Sequence, residues 1–185
     1  MDKTLLVAPV RAARPRSFGA TPLRRGCAAP CRLTAYTLSY PKVTVTLDTN
    51  ILYQALYSRS GASYAIVQLI RTGSIELALS VPVFEEYRQV LLRPGTQKQT
   101  GRSRKEMETV LDFLALVGVV TPIHYLWRPN LPDAEDDMFV ELAVASGSEY
   151  LITQNTRHYQ TGGLDLGVRI VTPPAFLRQW RDTHG

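Results

Sequence analysis

Apolar and polar positions change period several times along the chain. Val43–Leu47 is a short β-branched run behind Pro41 that stops at Asp48-Thr49-Asn50, the pattern of a buried strand. Ile51–Tyr57 and Ser63–Arg71 follow a helical period, interrupted at Ser60-Gly61, and Gly73 closes the second. Ile75–Leu79 reads as a strand again. Ser80-Val81-Pro82 offers a capping Ser with Pro in the first turn, so it opens a helix that runs towards Arg93-Pro94-Gly95. The spacing then predicts a polar loop, a helix over Arg104–Val117 ended by Gly118, a strand over Val119–Ile123 and a loop at Pro129–Pro132. A helix over Asp136–Ser146 ended by Gly147, strands at Tyr150–Thr153 and Val168–Val171, and a helix over Pro173–Arg181 complete the series.

Strands alternating with helices predict a parallel sheet covered by helices on both faces. Such sheets carry their sites at the carboxyl ends of the strands. Two strand ends bear polar residues, Asp48-Thr49-Asn50 and Thr153-Gln154-Asn155. No internal repeat is visible, and Gly162-Gly163 lacks the Lys and third Gly of a phosphate loop.

A chain of 185 residues suffices for one domain with a sizeable core. With 45% apolar and 20% charged residues it is globular in type. Cys27 and Cys31 are its two cysteines; they make no disulfide framework, and no second pair completes a zinc site. The longest apolar run, Phe113–Val120, contains Gly118 and is too short to cross a bilayer. Membrane protein, collagen-like chain and knottin are excluded.

The net charge of +5 is unevenly placed. Lys3, Arg11, Arg14, Arg16, Arg24, Arg25, Arg32 and Lys42 face a single acid, Asp2, in residues 1–42. The rest of the chain has 13 basic and 15 acidic residues, so the basicity is a property of the N-terminal segment and does not argue that the globular part binds nucleic acid. Residues 1–42, with five prolines and no sustained apolar period, read as a basic, disordered extension ahead of a domain spanning 43–185. A basic arm for RNA, a transit-like peptide and a start assigned upstream of the true domain all fit that extension. If the extension is not translated, a cytoplasmic protein with reduced thiols is the simplest reading.

Helical angles sort the acids. Around the helix after Pro82, Val83, Tyr87, Val90 and Leu91 share a face; Glu86 flanks that face and Glu85 points away from it. Around the later helix, Asp136 falls within the stripe of Phe139, Val140 and Ala143, while Asp137 and Glu141 fall toward the polar side. Glu135 has an inward angle but barely enters the helix. Asp48, Glu86 and Asp136 thus remain as inward carboxylates. A buried acid is costly unless paired, hydrogen-bonded or bound to a cation. No inward Lys or Arg accompanies these three, so a hard divalent ion, Mg²⁺ or Mn²⁺, is the simplest partner, and a metal-activated water beside a phosphate gives phosphodiester hydrolysis. Each acid also has a plain structural reading. Asp48 can make an Asx-turn, Asp133 and Asp136 can cap a helix, and Glu86 can pair with Arg93.

Four blocks in order resemble the PIN domain family, in its VapC-like group of toxin–antitoxin toxins. They are Val43–Asn50, Ser80 with Glu86-Tyr87 and Val90–Pro94, Asp136–Ala143, and Tyr150–Asn155. The resemblance spans about residues 43–175. It implies a three-layer α/β/α sandwich with a central parallel sheet, and a Mg²⁺- or Mn²⁺-dependent ribonuclease. It also implies an antitoxin partner and frequent homodimers. The family's first three acids match Asp48, Glu86 and Asp136; Thr49, Asn50, Ser80 and Thr153 match polar positions that support them. The fourth acid falls on Asn155, which accepts from a metal-bound water but brings no charge and puts two-metal chemistry in doubt; Asp133 and Glu135 are candidates for compensating charge. His158 is placed to touch RNA, His124 to end a strand, and Arg59, Arg128 and Arg157 to meet phosphates. His184 is terminal and is assigned no role.

Two rivals stand beside the nuclease. A non-catalytic PIN module would bind RNA or a protein partner, and Asn155 favours it. A phosphatase of the haloacid dehalogenase type also places an Asp after a first parallel strand, but it needs a second Asp where Asn50 stands.

Overall fold

The structure is a computed structural model, and it describes residues 42–124, 131, 136–159 and 167–184. These fall within one compact unit, Pro41–Gly185. The readings of residues 1–42 (Lys42 apart), of Cys27 and Cys31, and of Arg128, Asp133 and Glu135 lie outside the described residues. The elements are β1 (Thr44–Leu47), α1 (Thr49–Tyr57), α2 (Ala62–Arg71), β2 (Glu76–Leu79), α3 (Val81–Leu91), α4 (Pro94–Thr100), α5 (Arg104–Val117) and β3 (Val119–Val120). They continue with α6 (Asp137–Ser146), β4 (Tyr150–Ile152), a 3₁₀ turn at Thr156–Tyr159, β5 (Arg169–Val171) and α7 (Pro173–His184).

The five strands form one parallel sheet in the order β3-β2-β1-β4-β5, flanked by the helices as an α/β/α fold. β1 lies at the centre: the chain adds β2 and β3 on one side of it, then β4 and β5 on the other. That reversal puts a crevice between the carboxyl ends of β1 and β4. Central strands are buried on both faces, as the near-continuous apolar runs require. Val45, Leu47, Leu77, Leu151 and Ile152 are fully buried, and so is Thr46, whose Oγ1 is 3.0 Å from Ser148 Oγ. No helix among the described residues is long and apolar enough to cross a membrane.

Three expected elements differ. Residues 94–100, read as a polar loop, form α4. It has no apolar stripe, with only Thr96 buried, but it is bounded by Pro94 in its first turn and by Gly101 at φ +66°. β3 stops at Val120 instead of Ile123. Thr121 N still reaches Leu79 O at 2.8 Å, but Pro122 has no N–H to continue the ladder. The third difference is α6, whose buried residues are Asp137, Phe139, Val140, Glu141, Leu142 and Ala143. Asp137 is 1% exposed and Glu141 4%, so the reading that set them toward the polar side is wrong. α6 packs on β1, β2, β4 and α3 together, so its first two turns are buried beyond the apolar stripe, while Val144 and Ala145 near its end are exposed.

Candidate active site

Asp48 is the residue after β1, and its backbone N–H still donates to Ile152 O at 3.0 Å. The sheet therefore fixes its Cα beside the end of β4. Its side chain caps α1 by accepting from Asn50 N at 3.2 Å, so the Asx-turn expected of an Asp-Thr-Asn sequence is real. The cap uses only part of the carboxylate. Oδ2 accepts from Thr153 Oγ1 at 2.6 Å and from Asn50 Nδ2 at 2.7 Å. Thr153 Oγ1 in turn accepts from Asn155 N at 3.0 Å, and Asn50 Oδ1 accepts from Gln154 N at 3.3 Å. The two polar strand ends are thus one hydrogen-bonded unit. Asn50 is committed as a donor to Asp48, so the acid that a haloacid dehalogenase-type phosphatase needs at this position is absent.

Asp136 joins from α6. It stands at the helix N-cap in helical backbone geometry and makes no side-chain capping bond, which sets aside the capping role for it. Its Oδ2 lies 3.2 Å from His158 Nδ1, and His158 Nε2 lies 2.7 Å from Asn155 Nδ2. The Tyr159 hydroxyl donates to Asp136 Oδ1 at 3.4 Å and stands within the field of the Asp48 charge. One phenol therefore feels two carboxylates 88 positions apart in the chain. Burial pushes the Tyr159 hydroxyl far above the usual tyrosine range, and the charges of Asp48 and Asp136 push it further, so it stays a neutral donor. Nothing in the sequence singled out Tyr159. It sits in a four-residue 3₁₀ turn, and its meeting with Asp48 depends on the crevice rather than on any local pattern.

α3 reaches the site through Tyr87, fully buried, whose hydroxyl donates to the carbonyl of Leu47. Burial and the charge of Asp48 hold that hydroxyl well above the ordinary range. The bond anchors this turn of α3 to the residue before Asp48, and half-buried Glu86 is the neighbour of Tyr87 in that turn. Ser80 caps α3, accepting from Val83 N at 3.4 Å, as its sequence position predicts. Glu85 lies on the outside of α3, 2.9 Å from Arg88, which lowers its pKa. Thr49 Oγ1 is buried without a hydrogen-bond partner. The hydrogen bonds described above join Asp48, Asn50, Thr153, Asn155 and Asp136; Glu86, Ser80 and Thr49 take no part in them. Arg59 and Arg157 are exposed, as is His124. His184 Nδ1 lies 3.1 Å from Trp180 O on α7.

Hard divalent ions are often held by one or two carboxylates, with waters completing the shell. Asp48 and Asp136, whose charges both act on Tyr159, are a donor pair of that type, and an unpartnered Thr49 hydroxyl is next to one of them in the chain. Among the described residues no three His, Cys, Asp or Glu side chains converge as a protein-built cage would require. The residues present fit an ion with an open, water-rich sphere.

Residues 44–157 match the family model of the PIN domain. No curated protein sequence matches the chain. Thirteen chains among solved structures match it. One is in the structure of FitAB bound to an IR36 DNA fragment, with a TM-score of 0.50 and 15% identity over 70% of this chain and 94% of that one. Another is in VapBC2 from Rickettsia felis bound to a DNA fragment from its promoter, with a TM-score of 0.47 and 15% identity over 70% of this chain and 98% of that one. At this identity the FitAB likeness is one of fold.

Proposed function

The chain belongs to the PIN domain family, and from that premise we propose that it is a Mg²⁺- or Mn²⁺-dependent endoribonuclease, the toxin of a toxin–antitoxin pair. The observation that carries the reading is the run of hydrogen bonds from Asp48 through Thr153, Asn155 and His158 to Asp136, which supports a common site for the two acids at the β1/β4 crevice. In this reading Asp48, Glu86 and Asp136 hold the cation. When bound, the ion supplies an activated water and neutralises charge developing on the phosphate.

The remaining work falls to the chain's own groups. Thr153 and the Asn50 side chain hold one oxygen of Asp48, and the Asn50 backbone amide meets the other, so the carboxylate is oriented before any ligand arrives. Tyr159 offers Asp136 a neutral donor. His158 fixes Asp136 from the other side. A cognate antitoxin, a homodimer and cytoplasmic residence belong to the same reading, which draws them from the family motifs.

A second reading has its own observation. Asn155, standing where the family's fourth acid falls, is tied to His158, and His158 to Asp136. A site tied up in this way suits a module that binds RNA or a protein without cutting. Cleavage of labelled single-stranded RNA by the full chain separates the two. The nuclease reading expects cutting with Mn²⁺ or Mg²⁺ that disappears with EDTA and in Asp48→Asn. A folded wild-type chain that cuts no RNA in either metal contradicts it.

A further inference from the structure

A cavity of about 400 Å³ lies between the start of α2 and α7, lined among others by Ser60, Gly61, Ala62, Leu177, Arg178 and Arg181. We propose that this cavity is a second phosphate site, holding a backbone phosphate of a single-stranded RNA away from the bond at Asp48; it rests on the ribonuclease reading above. Its volume lies in the range of ordinary ligand sites.

Three features of the cavity act together. Arg178 and Arg181 stand one turn apart on α7, both exposed, and no described carboxylate pairs with either. Two unpaired guanidiniums on one wall are notable in a domain whose acids outnumber its bases, because local attraction to the nearest carboxylates would ordinarily use them. Gly61, the N-cap of α2, supplies no side-chain acceptor, so the amides of that first turn are not taken by a cap. Ser60 adds a hydroxyl, and the rest of the lining is apolar, from Ala62, Ala65, Pro174 and Leu177. Arginine and amide donors beside apolar walls suit a phosphate carried on a sugar and base better than a free inorganic anion.

The cavity is also wired to the acidic site. Ser63, in the first turn of α2, has its Oγ 3.4 Å from Gln154 Nε2. Gln154 N donates to Asn50 Oδ1, and Asn50 holds Asp48. A chain lying across Gln154 would meet the arginines at one end and the carboxylates at the other. Arg59, one residue ahead of the cavity wall and exposed, extends the basic rim.

The test is binding of fluorescent single-stranded RNA to the full chain in EDTA, which removes cleavage from the readout. Arg178→Ala/Arg181→Ala is expected to bind about tenfold more weakly, with a log–log salt slope shallower by about 0.7 for each phosphate no longer neutralised. Gly61→Asp should weaken binding similarly while raising the melting temperature. Its carboxylate would cap α2 and occupy the same amides, and a Cβ there meets nothing nearer than Ser58 Oγ at 3.9 Å. Hydrogen exchange adds a local reading: RNA should slow the amides of residues 62–64 in the wild type but not in the double variant. Wild-type affinity and salt slope in the arginine variant overturn the proposal, as does RNA binding that leaves those amides unprotected. Metal-dependent cleavage with an unchanged KM in that variant removes the second site and keeps the nuclease. Arginine-dependent binding by a chain that never cuts removes the nuclease and keeps the second site.

Discussion

α3 and α6 each carry one acid predicted for the site, and they behave oppositely under the same angular reading. α3 has one buried face, Val83, Tyr87 and Leu91, with Glu85 outside on Arg88 and Glu86 on the flank. There the period of the sequence and the burial in the fold agree. α6 lies against three strands and α3 at once, and its acids Asp137 and Glu141 are more deeply buried than Asp136, whose side chain is 18% exposed. The periodicity of apolar residues finds the side of a helix that faces the core only when there is one such side. Where a helix is covered beyond its stripe, as in the first two turns of α6, a polar residue off the stripe is not a surface residue; it is a buried group that must be hydrogen-bonded.

The sharpest way to break this contrast is Asp137→Ala. Asp137 Oδ1 accepts from Leu131 N at 3.1 Å, so the change strands a buried amide and should cost about 3 kcal/mol in chemical denaturation. A loss below about 1 kcal/mol would mean that the first turn of α6 is solvated at Asp137 after all. Tyr87→Phe removes the bond that ties α3 to Leu47 and should cost about 1–2 kcal/mol, with the fold retained by circular dichroism. The same hydroxyls predict an alkaline limit. Tyr87 and Tyr159 have folded pKa values raised above their unfolded ones. The stability they contribute is fully present below the unfolded tyrosine pKa, about 10, and falls as pH rises beyond it. Tyr87→Phe should flatten that fall in unfolding measured from pH 8 to pH 11. At the small end, Glu85→Ala on the open face of α3 should change stability by less than about 0.5 kcal/mol.

The two central strands were legible because both their faces are buried and their ends carry short polar runs that belong to no period. Ser80 and Pro82 announced α3 by the chemistry of its first turn. α4 was hidden because its seven residues bury a single side chain, so only its terminal Pro94 and Gly101 marked it. Asp48 and Asp136 were legible as acids placed at element starts, where a charge inside the apolar pattern is conspicuous. Tyr159 was not, because an aromatic in a short turn is ordinary until the fold sets its hydroxyl between two carboxylates. The arginines of α7 were hidden for a similar reason. In sequence they are surface charges on a terminal helix, and only the approach of α2 makes a cavity beside them.

The central claim is that Asp48 and Asp136 act as one cation site. Manganese titration of the full chain by calorimetry, with Asp48→Asn and Asp136→Asn alongside, tests it most directly. The account predicts binding in the wild type that either single substitution weakens by at least about tenfold, with the two combined adding little, since each removes the same site. Wild-type Mn²⁺ binding that survives both substitutions would contradict it.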